Sequence, residues 1–241
     1  MIDKNSPVPI YYQLQEQIKQ SIEKGDLKPG DVLASEREYA EKYQVSRMTI
    51  RQALTKLVDE GYLYRQKGKG TFVAERKIEQ PLQGLTSFTE DMKSRGLNPA
   101  SKLLNFEIIP ANSSIAKHLS IQENGSVFEI KRIRLADDIP MALETTYTPA
   151  NLAKGLTEEI VLHQSFYEYL EVQLKLKIAK ADQVIESSLT DQLEAAYLNV
   201  KKGSPVMLIE RTTYLEDGTP VEFVKSLYRA DRYKFKIHMQ R

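Results

Sequence analysis

The sequence predicts an α+β chain in two parts: a group of short capped helices, then an antiparallel sheet with helices packed on it. Three observations lead there. Apolar residues recur at helical spacing between Ile10 and Val58, with helix-starting residues at Pro9, Ser35 and Ser46. From Leu104 onward, successive stretches alternate apolar and polar residues with period two. Between two of those stretches lies Asp217-Gly218, a hairpin turn sequence.

The bulk numbers set outer bounds. At 241 residues and 41% hydrophobic, the chain can build ordinary cores in one or two domains. Its 34 basic and 33 acidic residues nearly cancel, so any nucleic-acid contact must rest on a local basic face. There is no cysteine, which excludes disulfides and thiolate metal sites. His118, His163 and His238 are far apart, which argues against a histidine metal site. The start, MIDKNSPVPIYYQ, lacks the apolar core of a signal peptide, and no apolar run approaches a membrane span. The expectation is a cytoplasmic protein without a membrane partner.

The first helix is expected from Pro9, with Ile10, Leu14, Ile18 and Ile22 forming its buried stripe, Gly25 ending it and Pro29-Gly30 turning the chain. Ser35 and Glu38 form a capping box for the second helix, which turns inward Tyr39, Ala40 and Tyr43. After the Gln44-Val45 turn, Ser46 caps a third helix. Its apolar positions Ile50, Ala53, Leu54, Leu57 and Val58 commit one side to a core, and Gly61 ends it. The opposite side carries Arg47 and Arg51, one turn apart, with Thr49 between them. Arginine there can form a bidentate pair with guanine or a charge-assisted bond to phosphate. Arg37, at the start of the second helix, can reach a duplex from the flank.

A hairpin follows, Tyr62-Leu63-Tyr64 out and Thr71-Phe72-Val73 back, with RQKGKG between them. Glycines let its tip approach DNA closely, and Lys67 and Lys69 supply charge for phosphates. Residues 45–77 hold eight basic residues, Arg76 among them, against three acidic ones, Glu75 among them. Any one of these arginines could decorate a solvated face. Two capped helices, a short turn, an arginine face and a basic glycine hairpin together describe a winged helix-turn-helix at about 35–54, with its wing at 62–74.

The stretch from PIYYQLQEQIKQSIEKGDLKPG through SEREYAEKYQVSRMTIRQALTKLVDEGYLYRQKGKGTFV resembles the DNA-binding domain of the GntR family of bacterial transcription regulators. Ala34 departs from it, standing where the family usually has proline. The resemblance implies a homodimer on a near-palindromic double-stranded operator. It also implies that Ser35, Arg37, Arg47, Thr49 and Arg51 serve DNA binding, with Gly68 and Lys69 at a wing tip entering the minor groove.

Residues 74–82, AERKIEQPL, lack both periodicities and contain Pro81, so they read as a linker. The DNA-binding domain is then expected at 1–75, a linker at 76–84 and an effector-binding and dimerisation domain at 85–241. In the last part, Leu104, Phe106 and Ile108 should share a strand face. Helices are expected near 112–119, 157–173 and 190–198, with Ser165 and Glu168 as a capping box and Thr190 as an N-cap. In Phe128-Glu129-Ile130-Lys131-Arg132-Ile133-Arg134, alternation puts Arg132 and Arg134 on the face of Phe128 and Ile130. If that face is inward, both guanidinium groups need an anion. If Ile133 and Leu135 mark the inner face, the arginines are solvated. Alternation leaves both open. GLTSFTEDM at 84–92 reads only as a helix start, with Thr86, Ser87 or Thr89 as caps. The basic end from Lys225 to Arg241 reads as a solvated strand edge.

GLTSFTEDMKSRG, KRIRLADDIPMALETTY and VEFVKSLYRADRYKF resemble the effector (UTRA) domain of the HutC branch of the same family, whose fold is similar to chorismate lyase. The likeness is to that branch's repressors of N-acetylglucosamine use, which respond to amino-sugar phosphates. It implies that Arg132 and Arg134 hold a phosphate with Ser165, Tyr167 and Ser87 or Thr89. It further implies that Glu144, Glu222 and Tyr228 bond sugar hydroxyls and that Phe88 lines the pocket. A small-molecule effector, N-acetylglucosamine-6-phosphate or glucosamine-6-phosphate, is thus expected in place of any cofactor. The same architecture could answer to another sugar phosphate or a small carboxylate. The lyase-like fold also raises an enzyme, but no nucleophile–base pair, metal cluster or phosphate-cradling glycine loop has motif spacing.

Overall fold

The computed structural model describes residues 3–4, 6–74 and 77–239, and the chain divides into two units, Met1–Lys77 and Ile78–Arg241. Glu75, Arg76 and Arg241, all counted among the charges above, lie outside the described residues.

In the first unit, α1 (Ile10–Glu23) starts directly after Pro9 and buries Leu14 and Ile18. Ser35 caps α2 (Glu36–Tyr43) in a complete capping box, accepting from the Glu38 amide while Glu38 accepts from the Ser35 amide at 2.7 Å. Gln44 takes the left-handed conformation, φ 50°, which turns the chain into α3 (Arg47–Asp59), capped by Ser46. Ile50, Ala53, Leu54 and Leu57 of α3 meet Leu14, Ile18, Leu33 and Tyr39 in one core. The wing is β1 (Leu63–Gln66) against β2 (Gly70–Val73), antiparallel, and Val32 adds a single bridge to Phe72. Leu63 and Val73 turn into the same core and hold the wing to α3.

The second unit carries a six-stranded antiparallel sheet. Its strands are β4 (Pro99–Pro110), β5 (Ser126–Ala136), β6 (Ile139–Pro149), β7 (Ile178–Leu189), β8 (Pro205–Leu215) and β9 (Pro220–Arg229), in the order β4-β5-β6-β9-β8-β7. The order is that of a duplicated unit. Strand, helix and hairpin occur twice, as β4, α5 (Ser113–Leu119), β5–β6 and as β7, α8 (Gln192–Leu198), β8–β9. The copies meet where β6 pairs with β9, centred on Thr145 opposite Lys225. Even the helix ends agree: Ser120 and Asn199 follow α5 and α8 in the left-handed conformation at φ 51° and 52°. One sheet face packs α5 and α8, through Ile115, Leu119 and Phe223 and through Leu198, Ile133 and Leu143. The other face packs α6 (Glu158–His163), α7 (Phe166–Glu168) and α4 (Phe88–Ser94), through Phe128, Ile130, Val161, Phe166 and Tyr167 and through Phe88, Met92 and Met141.

The structure corrects several expectations. The stretch read as linker contains β3 (Ile78–Pro81), which pairs in parallel with β10 (Tyr233–Lys236), so only part of 76–84 is connecting chain. The basic end is correspondingly a paired strand, with Lys234 and Lys236 on Glu79 at 2.7 and 2.8 Å. Leu104 does not share a face with Phe106. The register slips between Leu103 and Asn105, so Leu103 and Phe106 join the core under α6 while Leu104 turns to the α8 side. Such a bulge inverts the parity on which the alternation argument depends. The 157–173 helix is broken at Gln164, and Ser165 starts α7 with only the first half of a capping box. The cap before α8 is Asp191, in a full capping box with Glu194; Thr190 instead donates its hydroxyl to the Lys201 carbonyl.

Candidate functional site

In the first unit the DNA-side candidates gather around the start of two helices and the wing. Ser35 and Ser46 fix those helix starts. Ser46 Oγ also lies 2.9 Å from Thr49 Oγ1, which holds the Thr49 side chain against its own helix. Arg47 is the first residue of α3 and is exposed, as is the neighbouring Met48. Arg37 is exposed and bonds Glu41 one turn on, at 2.8 Å. Arg51 forms a two-pronged bond with Glu36, 3.0 Å from Nε and 2.8 Å from Nη2 to Oε2. Arg65 approaches the same carboxylate at 3.7 Å. A groove runs between these helix starts and the wing, lined by Glu36, Arg37, Arg51, Arg65, Gly68 and Lys69. Gly68 has φ +76° at the tip, where a side chain would be strained. Sequence reasoning missed Glu36 and Arg65. Glu36 carried no signal of its own, and its tie to Arg51 needs the fold.

In the second unit Arg132 and Arg134 do face inward, and both faces of β5 are covered. Arg132 is 2% exposed and Arg134 5%. Register places Arg132 opposite Glu144 on β6, and Glu144 opposite Ser226 on β9. Arg132 donates through Nη1 to the Val161 carbonyl at 2.7 Å and through Nη2 to Glu144 Oε1 at 2.5 Å. Arg134 reaches the same oxygen at 3.5 Å, donates to Thr89 Oγ1 at 3.0 Å, and lies over the Phe88 ring at 4.7 Å. Neither Nε has a partner among the described residues. Two buried guanidinium groups thus share one carboxylate. Burial, and then the charge of Arg132, pulls Arg134 down to about 10, so it remains a cation near neutrality. Burial pushes Glu144 up, but Arg132 and Arg134 outweigh that and hold it below the usual carboxylate value.

The remaining candidates fall into two groups around this triad. Ser165 donates to Ser87 Oγ at 3.0 Å, joining the start of α7 to the start of α4, which Ser87 caps. Tyr167 donates to Glu222 Oε2 at 3.3 Å, and Thr213 donates to the same oxygen at 2.8 Å. Burial is the main cause pushing Glu222 up, opposed by Arg211 and reinforced by Glu144. Burial, aided by Glu144, raises Tyr228 to about 12. A cavity of about 340 Å³ is walled by Ser87, Phe88, Arg211, Ser226 and Tyr228, a size in the range of small-ligand sites. A smaller one of about 80 Å³ is walled by Thr89, Arg134 and Ser165. Arg132, Glu144, Tyr167 and Glu222 line neither of these two cavities. Arg211 was not anticipated, because PVMLIERTTYLE read only as one more strand of period-two pattern. Among the described residues no group of three or more His, Asp or Glu could hold a metal ion. No described helix is long and apolar enough to cross a membrane.

Comparison with known proteins adds three findings. Residues 10–73 match the bacterial regulatory proteins of the gntR family, and residues 94–234 match the UTRA domain. The chain is similar to the HTH-type transcriptional repressor NagR of Bacillus subtilis (strain 168), at 50% identity over 240 residues, covering 100% of this chain and 98% of that one. It is also similar to the mannosyl-D-glycerate transport/metabolism system repressor MngR of Escherichia coli (strain K12), at 34% identity over 97% of each chain. Among solved structures, that of PhnF from Mycobacterium smegmatis superposes with a TM-score of 0.78 at 32% identity, over 94% of this chain and 98% of that one.

Proposed function

The chain belongs to the GntR family of bacterial regulators, HutC subfamily, as a transcriptional repressor with a UTRA effector domain, and from that premise we propose that it represses genes for amino-sugar uptake and catabolism under control of an amino-sugar phosphate. The observation carrying this reading is the charge imbalance at Arg132, Arg134 and Glu144. Two buried cations with one carboxylate and two unpartnered Nε groups lack an anion. Forked donors on neighbouring positions of one strand face suit a phosphate. N-acetylglucosamine-6-phosphate or glucosamine-6-phosphate would place its phosphate on the two arginines and the Thr89 and Ser165 hydroxyls. Its ring would lie toward Glu144, Glu222 and Tyr228, against Phe88.

The regulatory step follows from where these groups sit. Thr89 belongs to α4 and Ser87 caps it, so ligand bound there biases the position of α4. The chain runs from Lys77 through β3 into α4, a covalent route to the DNA head. An effector can shift operator binding only by its differential affinity for the two states of that element. On the DNA side, Arg47, Arg51 and Thr49 would read the major groove and Gly68 and Lys69 the minor groove. Two heads in a homodimer would match a near-palindromic operator. The deciding experiment is an operator titration by fluorescence anisotropy with DNA upstream of amino-sugar genes. Affinity unchanged by millimolar amounts of either sugar phosphate would sink the effector assignment.

Two expectations follow. A phosphate monoester loses its second proton near pH 6, and a doubly cationic site prefers the dianion. Arg134 stays charged below about 10, so its part of the phosphate site keeps its charge through this window. Effector affinity should therefore rise roughly tenfold from pH 5 to 7 and then level off, as isothermal titration calorimetry would show. A profile flat through pH 6 contradicts phosphate recognition. On the DNA side, Glu36→Gln removes the carboxylate that binds Arg51 and approaches Arg65. Non-specific duplex binding at low salt should tighten several-fold and become steeper in salt, because two more cations become available to phosphates.

A further inference from the structure

The duplicated architecture gives the buried arginines a counterpart. VFEIKRIR begins the alternation of β5 and VMLIERTT that of β8, and Arg211 occupies in β8 the place that Arg132 occupies in β5. Register puts them on one face. Arg132 lies in a row with Glu144, Ser226 and Ile209, and Arg211 lies two positions beyond Ile209, in a row with Val224, Thr146 and Ile130. Ile130 and Ile209 exchange places across the β6–β9 junction, as a local two-fold axis requires. Thr213 then stands where the first copy has Arg134.

The two half-sites differ in what satisfies their arginine. Arg132 is held by Glu144 and the Val161 carbonyl. Arg211 forms no hydrogen bond or ion pair among the described residues. Its guanidinium lies 5.9 Å over the Tyr167 ring, and its Nε is shut from solvent without a partner. It also walls the 340 Å³ cavity with Ser226 and Tyr228. A half-buried guanidinium at a cavity wall, with a solvent-shut Nε and no acceptor, is an expensive arrangement unless something enters to supply one. The nearby carboxylate does not serve: Glu222 accepts from Thr213 and Tyr167 instead.

We propose that Arg211 is a ligand-anchoring residue for the end of the effector remote from the phosphate, and that the group it selects is an uncharged acceptor oxygen, the acyl carbonyl of an N-acylated amino sugar. This rests on the sugar-phosphate reading above and deepens it. The first half-site, with two guanidinium groups, takes the dianion. The second, with one guanidinium and a threonine already bound to Glu222, takes a neutral acceptor, and the ammonium of a free amino sugar has no lone pair to offer Arg211. Arg211 is thereby the residue that distinguishes the acylated ligand from the free amine.

The test uses the full-length protein and calorimetric titration with N-acetylglucosamine-6-phosphate, glucosamine-6-phosphate and inorganic phosphate. Arg211→Met retains the packing on Tyr167 and removes the donors; Arg211→Lys retains the charge without the fork. Loss of a charge-assisted bond corresponds to about a tenfold or greater weakening. Arg211→Met should weaken the acylated ligand by at least that factor, leave inorganic phosphate within about twofold, and remove the preference for the acylated sugar over the free amine. Arg211→Lys should lie between. Unchanged binding of the acylated ligand overturns the proposal. So does equal weakening of inorganic phosphate, which would make Arg211 part of the phosphate anchor or of the folded framework. Equal weakening of both sugars overturns the acyl assignment. If the unsubstituted protein binds neither sugar phosphate, the sugar-phosphate reading fails before any variant is compared, and this inference fails with it.

Discussion

Arg132→Ala should leave operator binding intact and abolish the effector response, with effector affinity falling on the order of 100-fold to 1000-fold, the consequence of losing one partner of a buried charged contact. The structure explains why the effect is large. Arg132 is almost wholly buried, and its loss leaves Glu144 inside the domain with only the longer 3.5 Å contact to Arg134. Breaking a buried ion pair by removing one partner costs roughly 3–5 kcal/mol. That should lower the melting temperature of the second unit by about 10 °C. The same logic separates binding from folding. In Arg132→Ala/Glu144→Gln the carboxylate is gone but buried Arg134 loses its carboxylate partner, so only part of the lost stability should return while the effector stays unrecognised. Acid gives a second separation. Glu144 is held low in the native protein, so its contribution is present above the ordinary carboxylate pKa and fades as pH falls through its depressed value. Without Arg132 its pKa rises, and the stability gap between variant and parent should narrow as the solution is acidified. A double variant that regains its effector response, or a gap that widens in acid, would show that Arg132 acts elsewhere.

How much of this was legible in the sequence depends on whether the signal was local. Caps are local: Ser35 with Glu38 and Ser46 stood where the structure has them, because a hydroxyl two or three residues from an orphan amide needs no tertiary partner. The Asp217-Gly218 turn is local too, with Gly218 at φ +85° and Asp217 accepting from the Thr219 amide. The parallel pairing of β3 with β10 joins residues at opposite ends of the second unit, so AERKIEQPL carried no sign of it. Thr190 lost the cap to its neighbour because two adjacent residues both had capping side chains, and only Asp191 had Glu194 three positions on. The arginine face of β5 could not be assigned by alternation because α8 covers one side and α6 the other; with both sides buried, period two carries no inward direction. Arg211 was hidden for a related reason. Its half of the duplication keeps the pattern of the first half but replaces the second arginine by Thr213, so no arginine pair marked it.

The same separation of local from global information bears on the DNA head, where Leu57→Ala should cost about 2–5 kcal/mol. Leu57 is fully buried on α3, among Leu14, Ile50, Leu54 and Leu63, and its carbonyl accepts from the Tyr62 amide where the chain turns toward the wing. A unit of this size holds only about 4–12 kcal/mol in total, so the substitution removes a large part of it. Operator affinity should drop by the fraction of heads still folded, although no DNA-facing side chain has changed. Excess operator should restore binding, since DNA binds only the folded head and pulls the equilibrium toward it. Leu57→Met, which nearly conserves volume, should cost under about 1.5 kcal/mol and bind as the parent does. Hydrogen exchange would locate the damage. Amides of α1 and α3 should lose protection in Leu57→Ala, while those of β5, β6, β8 and β9 keep theirs and the effector still binds. That outcome would make the head an independent folding unit whose stability sets operator occupancy. Equal loss of protection in the sheet would instead mean that the two units unfold as one, and that effector binding could control the operator through the stability of the head as well as through its geometry.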